Sequence, residues 1–186
     1  MDRTLIATVA DHPGVLNRVA SLFRRRAFNI ESLTVGHTER NGISRMTIVV
    51  DSRRTDATKV AQNLEKLVDV LHVEDITDRP AILHDLALIK VQVSDRAARS
   101  EILKIADNFQ ARLVDMCSRT AMIEIAGSER KIDTVVEALR AHGILEMVRT
   151  GRVAMIRGEK DSEPEDAVSE EIDAVDSAQG GTRWQT

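Results

Sequence analysis

A chain of 186 residues holds one ordinary domain or two small ones, and an apolar share of 42% is enough for a packed core. Aromatic residues make up only 2% and Tyr is absent, so the core must come from Val, Ile, Leu, Met and Ala; this argues against modules that stack nucleic-acid bases on rings. The formal charge of −4 is unevenly spread, because residues 159–186 are dense in Asp and Glu against only Lys160 and Arg183, which leaves the body slightly basic.

Thr4–Ala10 is a short run rich in β-branched residues and reads as a strand, broken by Pro13-Gly14. From Val15 the apolar residues fall at helical spacing, with Arg18, Arg24, Arg25 and Arg26 on the wet side. The Arg24–Arg26 run reads as a solvated helix end that complements the helix dipole. Asn29–Val35 and Met46–Val50 read as strands, the second reached through the turn-like Arg40-Asn41-Gly42. Thr58–Leu71 has helical spacing, and Val70–Thr77 closes the unit as a strand that overlaps the helix end. The order is β-α-β-β-α-β, the ferredoxin-like split motif. It gives a four-stranded antiparallel sheet with both helices on one face, and the other face then needs a cover, usually a second copy or a partner.

The pattern recurs more faintly. His84–Val93 reads as a strand, and Ser94-Asp95 as the cap of a helix carrying Ile102, Ile105, Ala106 and Phe109. Ala111–Met116 and Ala121–Ala126 read as strands. A helix begins at Ser128 and ends at Gly143. Ile144–Ile156 returns as a strand interrupted at Gly151. The expected fold class is therefore α+β, with two tandem ferredoxin-like (βαββαβ) domains at 1–78 and 82–158, joined near Arg79-Pro80. Residues 159–186 are expected to form a disordered acidic tail that holds the sole Trp, Trp184.

Cys117 is the only cysteine, so no intramolecular disulfide forms; its expected role is small core filler. There is no signal-peptide layout and no apolar run that spans a bilayer, so the expectation is a cytoplasmic protein with no membrane role. Nucleotide-binding, zinc-protease and serine-hydrolase motifs are absent, and the five His have no metal-like spacing. The expectation is a chain with no catalytic residues, no metal and no cofactor of its own.

The informative feature is a pair of segments, Asp11-His12-Pro13-Gly14-Val15-Leu16 and Asn29-Ile30-Glu31-Ser32-Leu33-Thr34-Val35. A Gly turn that feeds a helix presents backbone N–H groups to a carboxylate. Gly14 lets a ligand approach the backbone, Asp11 suits an ammonium, and Asn29 offers both donor and acceptor. Val15, Leu16 and Ile30 would supply apolar walls. Together these suit a small aliphatic amino acid. The same Asp-x-Pro-Gly is also an ordinary turn, with Asp11 as a helix-proximal cap and His12 as a solvated turn residue.

These residues, followed by Ser44-Arg45-Met46-Thr47, resemble the small regulatory subunit of acetohydroxyacid synthase (acetolactate synthase). The resemblance is strong over residues 3–77 and weaker over about 82–158, where it includes Arg149–Gly151. It implies an ACT domain first and a ferredoxin-like domain second. It also implies a homodimer through the ACT domains, with valine as the feedback effector at their interface. The partner would be the large catalytic subunit, which holds thiamine diphosphate, Mg²⁺ and FAD. The effector site would use Asp11, Gly14, Val15 and Leu16, with Asn29 and Ile30 from the same or the neighbouring chain. The rival readings are another ACT-type amino-acid sensor acting on a different biosynthetic enzyme, an RNA-binding ferredoxin-like domain, and a small enzyme. The RNA reading lacks sheet aromatics and the enzyme reading lacks a nucleophile or base, so neither RNA nor DNA is an expected partner.

Overall fold

A computed structural model describes residues 2–53 and 56–158. The first half runs β1 (Asp2–Ala10), α1 (Val15–Arg26), β2 (Ser32–His37), β3 (Ile43–Asp51), α2 (Ala57–Leu64) and β4 (Val70–Asp75). The second runs β5 (Ala81–Gln92), α3 (Arg96–Asn108), β6 (Arg112–Met116), β7 (Thr120–Gly127), α4 (Glu129–Arg140), β8 (Ile144–Arg149) and β9 (Val153–Ile156). Both sheets are antiparallel, with strand orders β2-β3-β1-β4 and β6-β7-β5-β8, and β9 joins the start of β5. This is the twice-repeated βαββαβ order that the periodicity predicts. The acidic segment and Trp184 fall outside the described residues.

Period-two alternation places Leu5, Ala7 and Val9 of β1, with Met46, Ile48 and Val50 of β3, under the first pair of helices. Val19, Leu22 and Phe23 of α1 and Val60 and Leu64 of α2 pack down onto them. The second core repeats the scheme with Ala87, Ile89, Val91, Ala121, Ile123 and Ile125 beneath Ile102, Ile132, Val135 and Leu139. The Arg24–Arg26 run ends α1 in solvent, as the spacing predicts.

Four expectations change. Helix α2 stops at Leu64 instead of Leu71, because Leu67 and Val70 donate to Leu64 and Leu67 in tight turns and Val70–Asp75 is drawn into pairing with β1. Leu67 still packs on the first core, so the helical spacing outlasts the helix. Strand β2 begins at Ser32, because α1 ends on left-handed Ala27 (φ 54°) and residues 28–31 are spent crossing to the sheet. Cys117 is not core filler. It is exposed in the β6–β7 turn, with Sγ 3.5 Å from Asp115 Oδ2.

The fourth change concerns the outer face of the first sheet, for which a second copy or partner is the usual cover. Part of that cover comes from the chain itself. Ala81, Leu83, Ala154 and Ile156 pack with Ile6 and Ile76, and Thr4, Thr47 and Val49 are buried on this face. The Arg45 guanidinium donates to the Ala154 carbonyl at 3.0 Å. The two sheets accordingly belong to one compact unit, Met1–Ile156.

Candidate functional site

Strand β1 ends at Ala10 and the chain turns through Asp11–Gly14 into α1. Gly14 is the N-cap, at φ 98°, a backbone state that L-residues rarely adopt. Helices α2, α3 and α4 are each capped by a side chain, from Asp56, Asp95 and Ser128 respectively. Helix α1 has no side-chain cap, and Asp11 is not the cap of the ordinary-turn reading. Its amide donates to the Gly42 carbonyl at 2.7 Å, and its carboxylate lies 2.9 Å from His37 Nδ1.

Beneath the turn, Asp69 is a buried carboxylate held by Arg18 of α1 and by His12, whose Nε2 lies 3.1 Å away. His12 is therefore tied to the fold and is not the solvated turn residue expected of it. Arg18 folds back so that a terminal nitrogen would lie 3.9 Å from a β-carbon at Gly14. The turn thus has an exposed carboxylate at Asp11, a cation close to the Gly14 backbone, and the uncapped first turn of α1. Those groups match the two charged ends of an amino acid.

The six expected site residues divide in two. Asp11, Gly14 and Leu16 are exposed around the turn, and Leu16 shows 47% of its surface. Val15 points into the first core at 4% exposure, and Ile30 packs against the same core, so neither is an open wall. Asn29 is exposed, and its side-chain amide donates to Glu31 at 2.5 Å.

Within one chain the two groups do not meet. His37, beside Asp11, pairs with Ser44 at one end of β2, while Ser32, just after Asn29 and Ile30, pairs with Val49 at the other end. Five residue steps separate them, about 17 Å at the rise of a strand. Strand β2 is an edge of the sheet, and Val35 in its middle is 46% exposed. Arg18, His37 and Asp69 escaped the sequence reading. No local pattern marks them, because they reach the turn from α1, from the far edge strand and from the α2–β4 connection.

Among the described residues, no cluster of His, Cys, Asp or Glu could hold a metal ion, and no helix is long and apolar enough to cross a membrane. The chain matches two family models: "AHAS small subunit-like ACT domain" over residues 5–72 and "Small subunit of acetolactate synthase" over residues 84–158. It is 44% identical to the "Probable acetolactate synthase small subunit" of Archaeoglobus fulgidus, over 86% of this chain and 99% of that one. It is 43% identical to the "Acetolactate synthase small subunit" of Bacillus subtilis, over 85% and 92%. The crystal structure of the acetolactate synthase small subunit from Thermotoga maritima superposes with a TM-score of 0.79 at 32% identity, over 86% of this chain and 99% of that one. With both models matched in order and relatives of this identity spanning nearly their whole length, the chain belongs to the acetolactate synthase small-subunit family.

Proposed function

We propose that this chain is the regulatory subunit of an acetohydroxyacid synthase. It raises the activity of the large catalytic subunit and makes that activity sensitive to valine. The catalytic partner carries the thiamine diphosphate, Mg²⁺ and FAD chemistry, and this chain supplies none of it. Family membership supports the partner, and the chemistry of the Gly14 turn supports an amino-acid effector.

The observation that carries the effector reading is the placement of the two half-sites at opposite ends of the edge strand β2. Two copies that pair antiparallel along β2 bring the Asn29 end of one beside the Asp11–Leu16 turn of the other. The site is then shared between chains and is complete only in the homodimer. The valine carboxylate takes the α1 amides and Arg18, the ammonium takes Asp11, and Leu16 with Val35 contacts the side chain. Asn29 of the second copy closes the site.

Valine inhibits by binding better to the less active state of the assembly. Couplings of this kind are worth about 1–3 kcal/mol, or roughly 5- to 150-fold in affinity. The test is reconstitution of the full chain with its catalytic subunit, following acetolactate formation with and without valine. The reading expects activation by the small subunit and inhibition by valine only when the small subunit is present. Activation without any valine response would remove the effector assignment, and no activation would remove the regulatory one.

A further inference from the structure

Residues 149–154 are held on two sides at once. Toward the second sheet, Arg149 Nε donates to Asp85 at 2.7 Å and its Nη1 donates to Asp133 of α4 at 2.8 Å. The Thr150 amide donates to the Leu86 carbonyl at 3.0 Å, and the Leu86 amide donates to Thr150 Oγ1 at 3.1 Å. Toward the first sheet, the Arg152 amide donates to Ser32 Oγ at 3.1 Å and its carbonyl accepts from Thr34 Oγ1 at 2.7 Å. Both partners lie on β2. The Arg152 guanidinium then spans the junction, donating to Thr4 Oγ1 at 3.0 Å on one side and to Glu129 in the first turn of α4 at 2.9 Å on the other.

Each contact is modest, but together they fix an edge strand that pairs with only one neighbour in its sheet. Arg152 is only 15% exposed in its side chain and Thr4 is buried, so the guanidinium cannot leave Thr4 for water without opening the junction, whereas its bond to Glu129 lies at the exposed rim. Gly151 takes φ +85° and sits against the Ser32 hydroxyl without room for a β-carbon, a close approach to β2 that glycine permits. The geometry points to Arg152 as a positioning residue that links the edge strand β2 to the first turn of α4. On the reading that β2 borders the effector site, this link is the route by which valine occupancy reaches the second half of the chain.

Hydrogen exchange on the full chain tests the link directly. Thr34→Val removes one bond from β2 to the Arg152 carbonyl. It should speed exchange at the Lys131 and Ile132 amides of α4 by about two- to tenfold, the range set by one net hydrogen bond. Helix α2, which lies away from the junction, should be unchanged, because a general loss of stability would move it as well. In an Arg152→Gln background, adding Thr34→Val should have no further effect on α4, whereas Arg152→Lys should keep part of the response. Unchanged α4 exchange in Thr34→Val, or equal acceleration in α2, overturns the link whether or not valine binds. Repeating the exchange with valine separates the two claims. Valine should slow exchange on β2 in every variant but on α4 only when Arg152 is present. If Thr34→Val reaches α4 while valine protects neither element, the link stands and the effector reading falls.

Discussion

Gly151 lies so close to Ser32 that a β-carbon at Gly151 would overlap the Ser32 hydroxyl. Two residues more than a hundred positions apart are thus in contact across the two sheets, and the contact sets a requirement for glycine. Gly151→Ala would force an L-residue to φ +85° and push the segment off β2. The expected loss is about 1–3 kcal/mol of unfolding free energy, the sum of left-handed strain and local displacement. Ser32→Ala relieves the overlap, so the double variant should lose less than the two single losses added together. Denaturant unfolding of the four chains measures this, and strict additivity would mean that the two residues do not touch in solution.

The Asp75 carboxyl predicts an acid-sensitive anchor for the first sheet. Partial burial raises its pKa, but the hydroxyl and amide of Thr77 and the guanidinium of Arg3 outweigh that, and the net pKa lies below the ordinary 3.8. Arg3 binds Asp75 at 2.8 and 3.1 Å, the Thr77 amide and hydroxyl donate to Asp75, and the Thr77 hydroxyl oxygen accepts from the Thr4 amide. A depressed carboxylate pKa contributes stability that is full above the unfolded value and is lost as pH falls through the folded one. The stability gap between the wild type and Asp75→Asn should therefore be widest near neutral pH and should narrow as the pH falls below the ordinary carboxylate value of 3.8. Urea melts across that range check it, and a gap that is constant with pH would contradict the assignment.

Asp11 is assigned to the effector ammonium, although in the free chain its carboxylate is engaged by His37 at 2.9 Å. His37 is 84% exposed and Asp11 39%, so the pair adds little to stability and yields easily to a ligand. Asp11→Ala should weaken valine binding by about tenfold or more, the scale of one charge-assisted hydrogen bond, with the melting temperature almost unchanged. Calorimetric titration of the full chain with valine measures it. Undiminished affinity in Asp11→Ala would move the ammonium site elsewhere.

The sequence carried the repeated βαββαβ order because the order depends on local periodicity. Alternation at Leu5, Ala7 and Val9 and helical spacing at Val19, Leu22 and Phe23 are dictated by burial on one face. Relations set by non-local pairing were not legible. The strand from Val70 was legible, but the helical spacing through Leu67 gave no sign that α2 stops at Leu64. Nothing near Ser32 or Thr34 announces Arg152, because a hydroxyl facing out of a strand reads as solvated surface. The Gly14 turn was legible as chemistry, but Val15 and Ile30 belong to the core. The separation of Asn29 from Asp11 along β2 appears only once the register with β3 is known.

The central claim is that the Gly14 turn makes the partner synthase sensitive to valine, and Gly14→Asp tests it most directly. Gly14 stands at φ 98°, where Asp costs about 1–2 kcal/mol in strain, so the fold survives while a carboxylate enters the turn. That carboxylate repels the effector's own and engages Arg18, which would lie 3.9 Å from the new β-carbon. The measurement is acetolactate formation by the reconstituted synthase across a valine titration, with the wild-type and Gly14→Asp small subunits side by side. The expected result is equal stimulation of the catalytic subunit by both, with valine inhibition lost or greatly weakened in Gly14→Asp. Full valine sensitivity in Gly14→Asp, at equal stimulation, would contradict the claim.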